Sequence, residues 1–163
     1  EALVNATYHT DREAFLALVA RSSAAFSVVA GSGAAALAVG KSEFTPWLAL
    51  AVAVAGTINL VFAPAQSARD SRDLRRRYLD LYTRMESGEV TDPAKARAEF
   101  LKISADAPPA CSAARAIAWN RVIAGLYKGG EREAMMMRVP WYDRLTPFLM
   151  RRPHADYATK PQG

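Results

Sequence analysis

Histidine and cysteine are nearly absent: the 163 residues hold two histidines, His9 and His154, and one cysteine, Cys111. A single thiol excludes an intrachain disulfide framework and a cysteine-based zinc site, and it fits a reducing compartment. Two histidines near the termini supply neither a histidine-rich metal site nor a His-dependent triad. A glycine-rich phosphate loop is missing too. Gly31-Ser32-Gly33 lies inside an apolar run, without the strand and acidic partner of a dinucleotide fingerprint. Asp70, Asp73 and Asp80 read as partners of the arginines around them on a solvated face. We therefore expect no catalytic residue, no metal, no cofactor and no enzyme activity.

Charge is the next scarcity. The first 68 residues contain three basic residues (Arg12, Arg21, Lys41) and four acids, whereas the rest contain eighteen and twelve. A basic half of this kind suits a membrane or a nucleic acid. Its basic residues come with no reading motif and no stacking platform, so no nucleic acid is expected and the lipid bilayer is the expected partner.

What the first half does contain is two long apolar runs. Ser22 to Gly40 is 19 residues without a charge. At helical rise that is about 28 Å, close to the ~30 Å of bilayer hydrocarbon. Lys41-Ser42-Glu43 interrupts it, and a second uncharged run from Phe44 to Ala68 includes the apolar stretch Pro46 to Ala63. Two spans joined so closely predict a tight hairpin. The expected fold is an all-α membrane protein, a two-helix transmembrane hairpin followed by a small cytoplasmic helical module. Its parts are an N-terminal cytoplasmic segment (1–13), the hairpin (14–68), the module (69–152) and a disordered tail (153–163). A soluble bundle with a buried Ala-rich hairpin would show the same runs, because interior helices are apolar all round. Two adjacent runs of bilayer length with an arginine cluster behind them favour the membrane. The first span is expected to stay in the mature chain, since a second follows at once and its leading flank is acidic as well as basic.

Arg69, Arg72, Arg75, Arg76 and Arg77 follow the second span and form the expected membrane-surface basic group. The positive-inside bias then places both termini in the cytoplasm, with Trp47 at the outer interface. Arg21 is near enough to the inner interface to snorkel to phosphate.

Beyond the spans, Pro64 is expected to bend or loosen the helix. Leu74, Tyr78, Leu81, Tyr82 and Met85 then form one apolar stripe, and Gly88 is the expected stop. Asp92-Pro93 reads as a cap and first helical residue, with Ala96, Phe100 and Ile103 turned inward. Pro108-Pro109 separates that helix from one over about 110–127, with Ala114, Ile117, Ala118, Val122 and Leu126 apolar and Gly129-Gly130 closing it. Val139 to Met150 is a short amphipathic segment whose Trp141 and Phe148 face either the membrane surface or the cytoplasmic core.

Within the first span Ser23, Ser27, Gly31 and Ala35 recur every four residues. Such a ladder permits close helix packing in lipid. Ala49, Ala53, Gly56, Leu60 and Ala63 form a weaker face of the same kind on the second span. Both faces suit closing the hairpin or packing an oligomer. Thr57 and Asn59 are the polar residues deep in the second span, and intramembrane polar groups usually face protein or water. Asn59 either lines a pore or bonds to Ser27 or Ser32.

The order of GSGAAALA, PWLALAVAVAGTINLVFAPAQSARDSRDLRRRYLDLYTRME, the AARAIAWNRVIAGLY that follows Pro108-Pro109, and RVPWYDRLTPFL resembles the SLATT family of two-transmembrane effector domains over about residues 14–152. Where members often carry His-Asn, this chain has Trp119-Asn120. The resemblance implies a homo-oligomeric, pore-forming effector of bacterial conflict or anti-phage defence, multi-pass in the cell inner membrane. It would be triggered through its cytoplasmic helices by a sensor or nucleotide-signalling partner. A non-conducting membrane-anchored adaptor, or a subunit of a larger membrane complex, is the alternative.

Overall fold

A computed structural model describes residues 1–39, 44–145, 147–148 and 157. The described residues are built from seven helices and no strand: α1 (Ala2–Val39), α2 (Thr45–Phe62), α3 (Pro64–Glu86), α4 (Pro93–Asp106), α5 (Ser112–Leu126), α6 (Gly129–Met135) and α7 (Trp141–Leu145). They divide into two compact units, one of Glu13–Asp70 and one of Glu1–Arg12 with Ser71–Gly163.

The larger unit is organised around the first turns of α1. Ala2, Val4, Ala6, Tyr8 and His9 are all buried. Two faces of this one segment serve two clusters: Ala6 packs with Leu74, Tyr78, Leu81 and Ile103, while Val4 and Tyr8 pack with Ala114 and Ala118. Positions i and i+4 share a helix face, so Val4 and Tyr8 meet α5 together. Five rings run through this core in series. Phe100 lies 5.7 Å from Tyr78, Tyr78 stacks on His9 at 5.7 Å, His9 meets Tyr8 edge-on at 5.1 Å, and Tyr8 lies 6.0 Å from Phe148. Such offset and edge contacts add stabilisation beyond the burial itself.

The stripe on α3 is largely as expected. Leu74, Tyr78 and Leu81 are buried and Tyr82 is half-buried, but Met85, on the last turn, is exposed at the edge of an open cleft that it lines with Ala2, Pro93 and Ala96. Pro64 opens α3 after a break in which Ala63 takes φ 39°. The Ser67 amide recovers the Ala63 carbonyl at 3.0 Å. At the other end Gly88 adopts φ 78° and the Val90 amide reaches back to the Arg84 carbonyl at 3.1 Å. That bond reaches back across six residues, and the turn it closes passes through a left-handed residue, which glycine adopts without a Cβ penalty.

Asp92 caps α4 by accepting from the Ala94 amide at 2.9 Å, with Pro93 in the first turn. Ala96 and Ile103 are buried and Phe100 packs beside them. On α5, Ala114 and Ala118 are buried, whereas Leu126 in the final turn is exposed; Ala113, Ala116 and Ile123 are buried as well. Gly129-Gly130 does not close α5. The helix ends at Leu126, the Tyr127 amide bonds to the Ile123 carbonyl, and Gly129, at φ 64°, opens α6.

Candidate functional site

Two helices are long and apolar enough to cross a membrane, and their apolar windows lie within Ala2–Gly33 and Pro46–Glu86. Only 6% and 12% of those windows are buried inside the chain. In a soluble bundle an all-apolar helix earns that composition by being enclosed. Here Val29 is 72% exposed and Leu60 84% exposed, and Leu18, Val28, Leu50, Val54, Val61 and Phe62 also face outward. Apolar surface of that extent is the mark of an interaction or membrane surface. Trp47, in the first turn of α2, is exposed too.

The small-residue faces differ between the two helices. Ser23, Ser27 and Gly31 are half-buried, so the α1 ladder lies on a shielded side; the side chain of Ala35 is outside the described residues. A Cβ added at Gly31 would nevertheless meet nothing within 4 Å. On α2 the shielded positions are Leu48, Ala51, Val52 and Ala55, spaced i, i+3, i+4 and i+7. Ala49, Ala53, Gly56, Leu60 and Ala63 point outward, and Gly56 also has room for a Cβ. The weaker of the two small-residue faces is thus the exposed one.

Three hydroxyl groups in these helices are satisfied locally. Ser27 donates to the Ser23 carbonyl at 2.9 Å, Ser32 to the Val28 carbonyl at 2.8 Å and Thr57 to the Ala53 carbonyl at 2.9 Å. Their oxygens keep accepting capacity, but the donor is used inside the same helix. The side chain of Asn59 falls outside the described residues, as do Lys41, Ser42 and Glu43.

The five arginines on α3 are not equivalent. Arg69, Arg72 and Arg76 are exposed, Arg75 and Arg77 are half-buried, and Arg77 pairs with Asp106 of α4 at 2.8 Å. Trp141 and Phe148 take opposite roles: Trp141 is exposed on α7, while Phe148 packs on Tyr8 in the core. Of the expected tail only Tyr157 is described, and its hydroxyl donates to Asp143 at 2.8 Å.

Sequence reasoning missed two devices. His9, Tyr8 and their neighbours form the centre of the larger unit, and the four-residue spacing of Val4 and Tyr8 was the available signal. Burial, followed by the charge of Arg12, holds the His9 imidazole down at about pH 4. Trp119 and Asn120 were the second. The Trp119 indole donates to the Met135 carbonyl at 2.9 Å, while Asn120 both donates to the Met137 carbonyl at 2.8 Å and accepts from its amide at 2.7 Å. These bonds clamp the chain after α6 onto α5. No local signal betrays them, because the partner is main chain.

Among the described residues no group of three or more His, Cys, Asp or Glu side chains comes together to hold a metal. The class these features define is an all-helical protein with two helices of membrane-crossing length and hydropathy. No family model, no curated protein and no solved structure matches the chain.

Proposed function

We propose that this chain is an integral protein of the cell inner membrane, with both termini cytoplasmic. It assembles into a homo-oligomer and acts as a pore-forming effector in bacterial conflict defence, switched through its cytoplasmic helices by a sensor or nucleotide-signalling partner. The observation that carries the membrane assignment is the outward exposure of apolar side chains on both long helices, which water would penalise and lipid would not. Assembly is supported by the outward face of Ala49, Ala53, Gly56 and Leu60, whose small residues let a second helix approach closely. The effector role and its trigger rest on the ordered resemblance of the hairpin, the basic helix and the later segments to SLATT domains.

The test is reconstitution of the full chain into liposomes loaded with a self-quenching dye, after confirming that it resists carbonate extraction. Protein-dependent dye release, with discrete conductance steps in planar bilayers, is the expected result. An inserted, oligomeric protein that releases no dye and passes no current, with or without candidate partners, would assign the chain to the non-conducting adaptors. Monodisperse recovery without detergent would end the membrane assignment itself.

A further inference from the structure

The surface of the larger unit carries an apolar patch that its own core leaves unused. Trp141 and Leu145, one turn apart on α7, are each 72% exposed. Tyr142 is exposed beside them and meets Trp141 edge-on at 5.9 Å. The one acid of this helix is withdrawn: Asp143 is buried, and its carboxylate accepts from Tyr157. Arg138 and Arg144 remain exposed at the rim, and the Arg144 Nε donates to the Val139 carbonyl at 3.1 Å. Val139 is buried, and the Asn120 clamp on Met137 holds the approach to α7 against α5.

We propose that the α7 patch of Trp141, Tyr142 and Leu145, rimmed by Arg138 and Arg144, docks on an anionic phospholipid surface. Charge complementarity chooses the occupant, since every exposed charge over residues 138–145 is positive while the acid faces inward. Indole and phenol rings favour headgroup depth, where an apolar body and a polar tip are both accommodated. A leucine beside them enters the acyl boundary, and the guanidinium groups meet lipid phosphate. A firmly clamped approach segment spares the ordering cost that a floppy loop would incur on binding. This inference rests on the membrane assignment made above, and its test separates the two.

The full chain, with Cys111→Ala and a nitroxide on Leu145→Cys, is placed in nanodiscs of phosphatidylcholine with phosphatidylglycerol. Accessibility is read against molecular oxygen and a water-soluble nickel chelate, with Leu101→Cys on α4 as the aqueous reference. The expected oxygen-to-nickel ratio at position 145 is at least threefold above the reference. It should drop toward the reference in pure phosphatidylcholine or on Arg138→Glu. A label at 145 as open to nickel as the one at 101 overturns the proposal. So does spin–spin broadening between copies that is indifferent to lipid charge, which would assign the face to a second copy of the chain. If the chain proves soluble, the membrane assignment fails, and the same protein is sedimented with phosphatidylglycerol vesicles. Binding abolished by Trp141→Ala with Leu145→Ala then still upholds the α7 proposal, and absence of binding ends it.

Discussion

His9 stacks on Tyr78 and meets Tyr8 edge-on, and its Nδ1 has no hydrogen-bond partner among the described residues. A charged imidazole there would lack hydration and face Arg12, so the neutral form is favoured and titration is lowered from 6.5 to about 4. The unfolded chain therefore binds the extra proton first as pH falls. The His9 contribution to stability is complete above pH 6.5 and is lost as pH falls toward 4, on the order of 2 kcal/mol once partial solvent screening is discounted. Thermal unfolding followed by circular dichroism at pH 7.5 and 4.5 should show a steeper loss for the native chain than for His9→Phe, which keeps the ring and removes the proton site. Equal losses would refute the assignment. Asn120→Ala strands the amide and carbonyl of Met137, at a cost of about 1–3 kcal/mol. Faster proteolysis between α6 and α7, with α3 and α4 unaffected, is the expected readout.

At the scale of elements, α2 is apolar around most of its circumference, so composition does not say which face meets protein. Leu48, Ala51, Val52 and Ala55 are shielded within the chain, and Gly56 looks outward. A leucine at Gly56 meets no atom of its own chain near its Cβ and adds hydrophobicity, so insertion should survive. The oligomer should weaken by the order of tenfold, about 1.4 kcal/mol per contact. Cross-linking in native membranes measures it, with Gly31→Leu as the comparison on the shielded face, expected to retain the oligomer. An abundant and fully oligomeric Gly56→Leu protein would remove the α2 face from the assembly. Helix ends were more legible than helix faces. Asp92 acts through its carboxylate on an amide two residues on, Pro93 and Gly88 act through their own backbones, and each did what its chemistry dictates. Gly129-Gly130 misled because two glycines permit either an exit or an entry, and α5 has already ended at Leu126 when Gly129 opens α6.

For the whole molecule the proposal fixes a topology. With Cys111→Ala as background, Ser42→Cys should label from outside intact cells and Ser87→Cys only after permeabilisation. Selective external labelling at position 87 would reverse the orientation. The early turns of α1 give a second expectation at this scale. Deleting residues 1–10 removes Ala6 from one cluster of the larger unit, Val4 and Tyr8 from the other, and the His9 ring that stacks on Tyr78. Truncations of buried large side chains cost about 2–5 kcal/mol each, so the unit should lose cooperative unfolding. Retention of a sharp transition by differential scanning calorimetry would show that α1 merely caps a self-sufficient core.

The sequence by itself determined the helical class, the two runs of membrane-crossing length, the caps of α4 and the stop of α3. All of these depend on local backbone chemistry or on hydropathy summed along the chain, which neighbours in sequence suffice to set. Tertiary structure alone decided that the N-terminal turns lie at the centre of a core, that α2 shields one face and shows another, and that Trp141 stays outside while Phe148 goes in. Each is a choice between surfaces of equal local propensity. Which surface is covered is set by contacts between residues far apart in sequence, such as Tyr8 with Ala114 and Ala118, and periodicity carries no information about the partner.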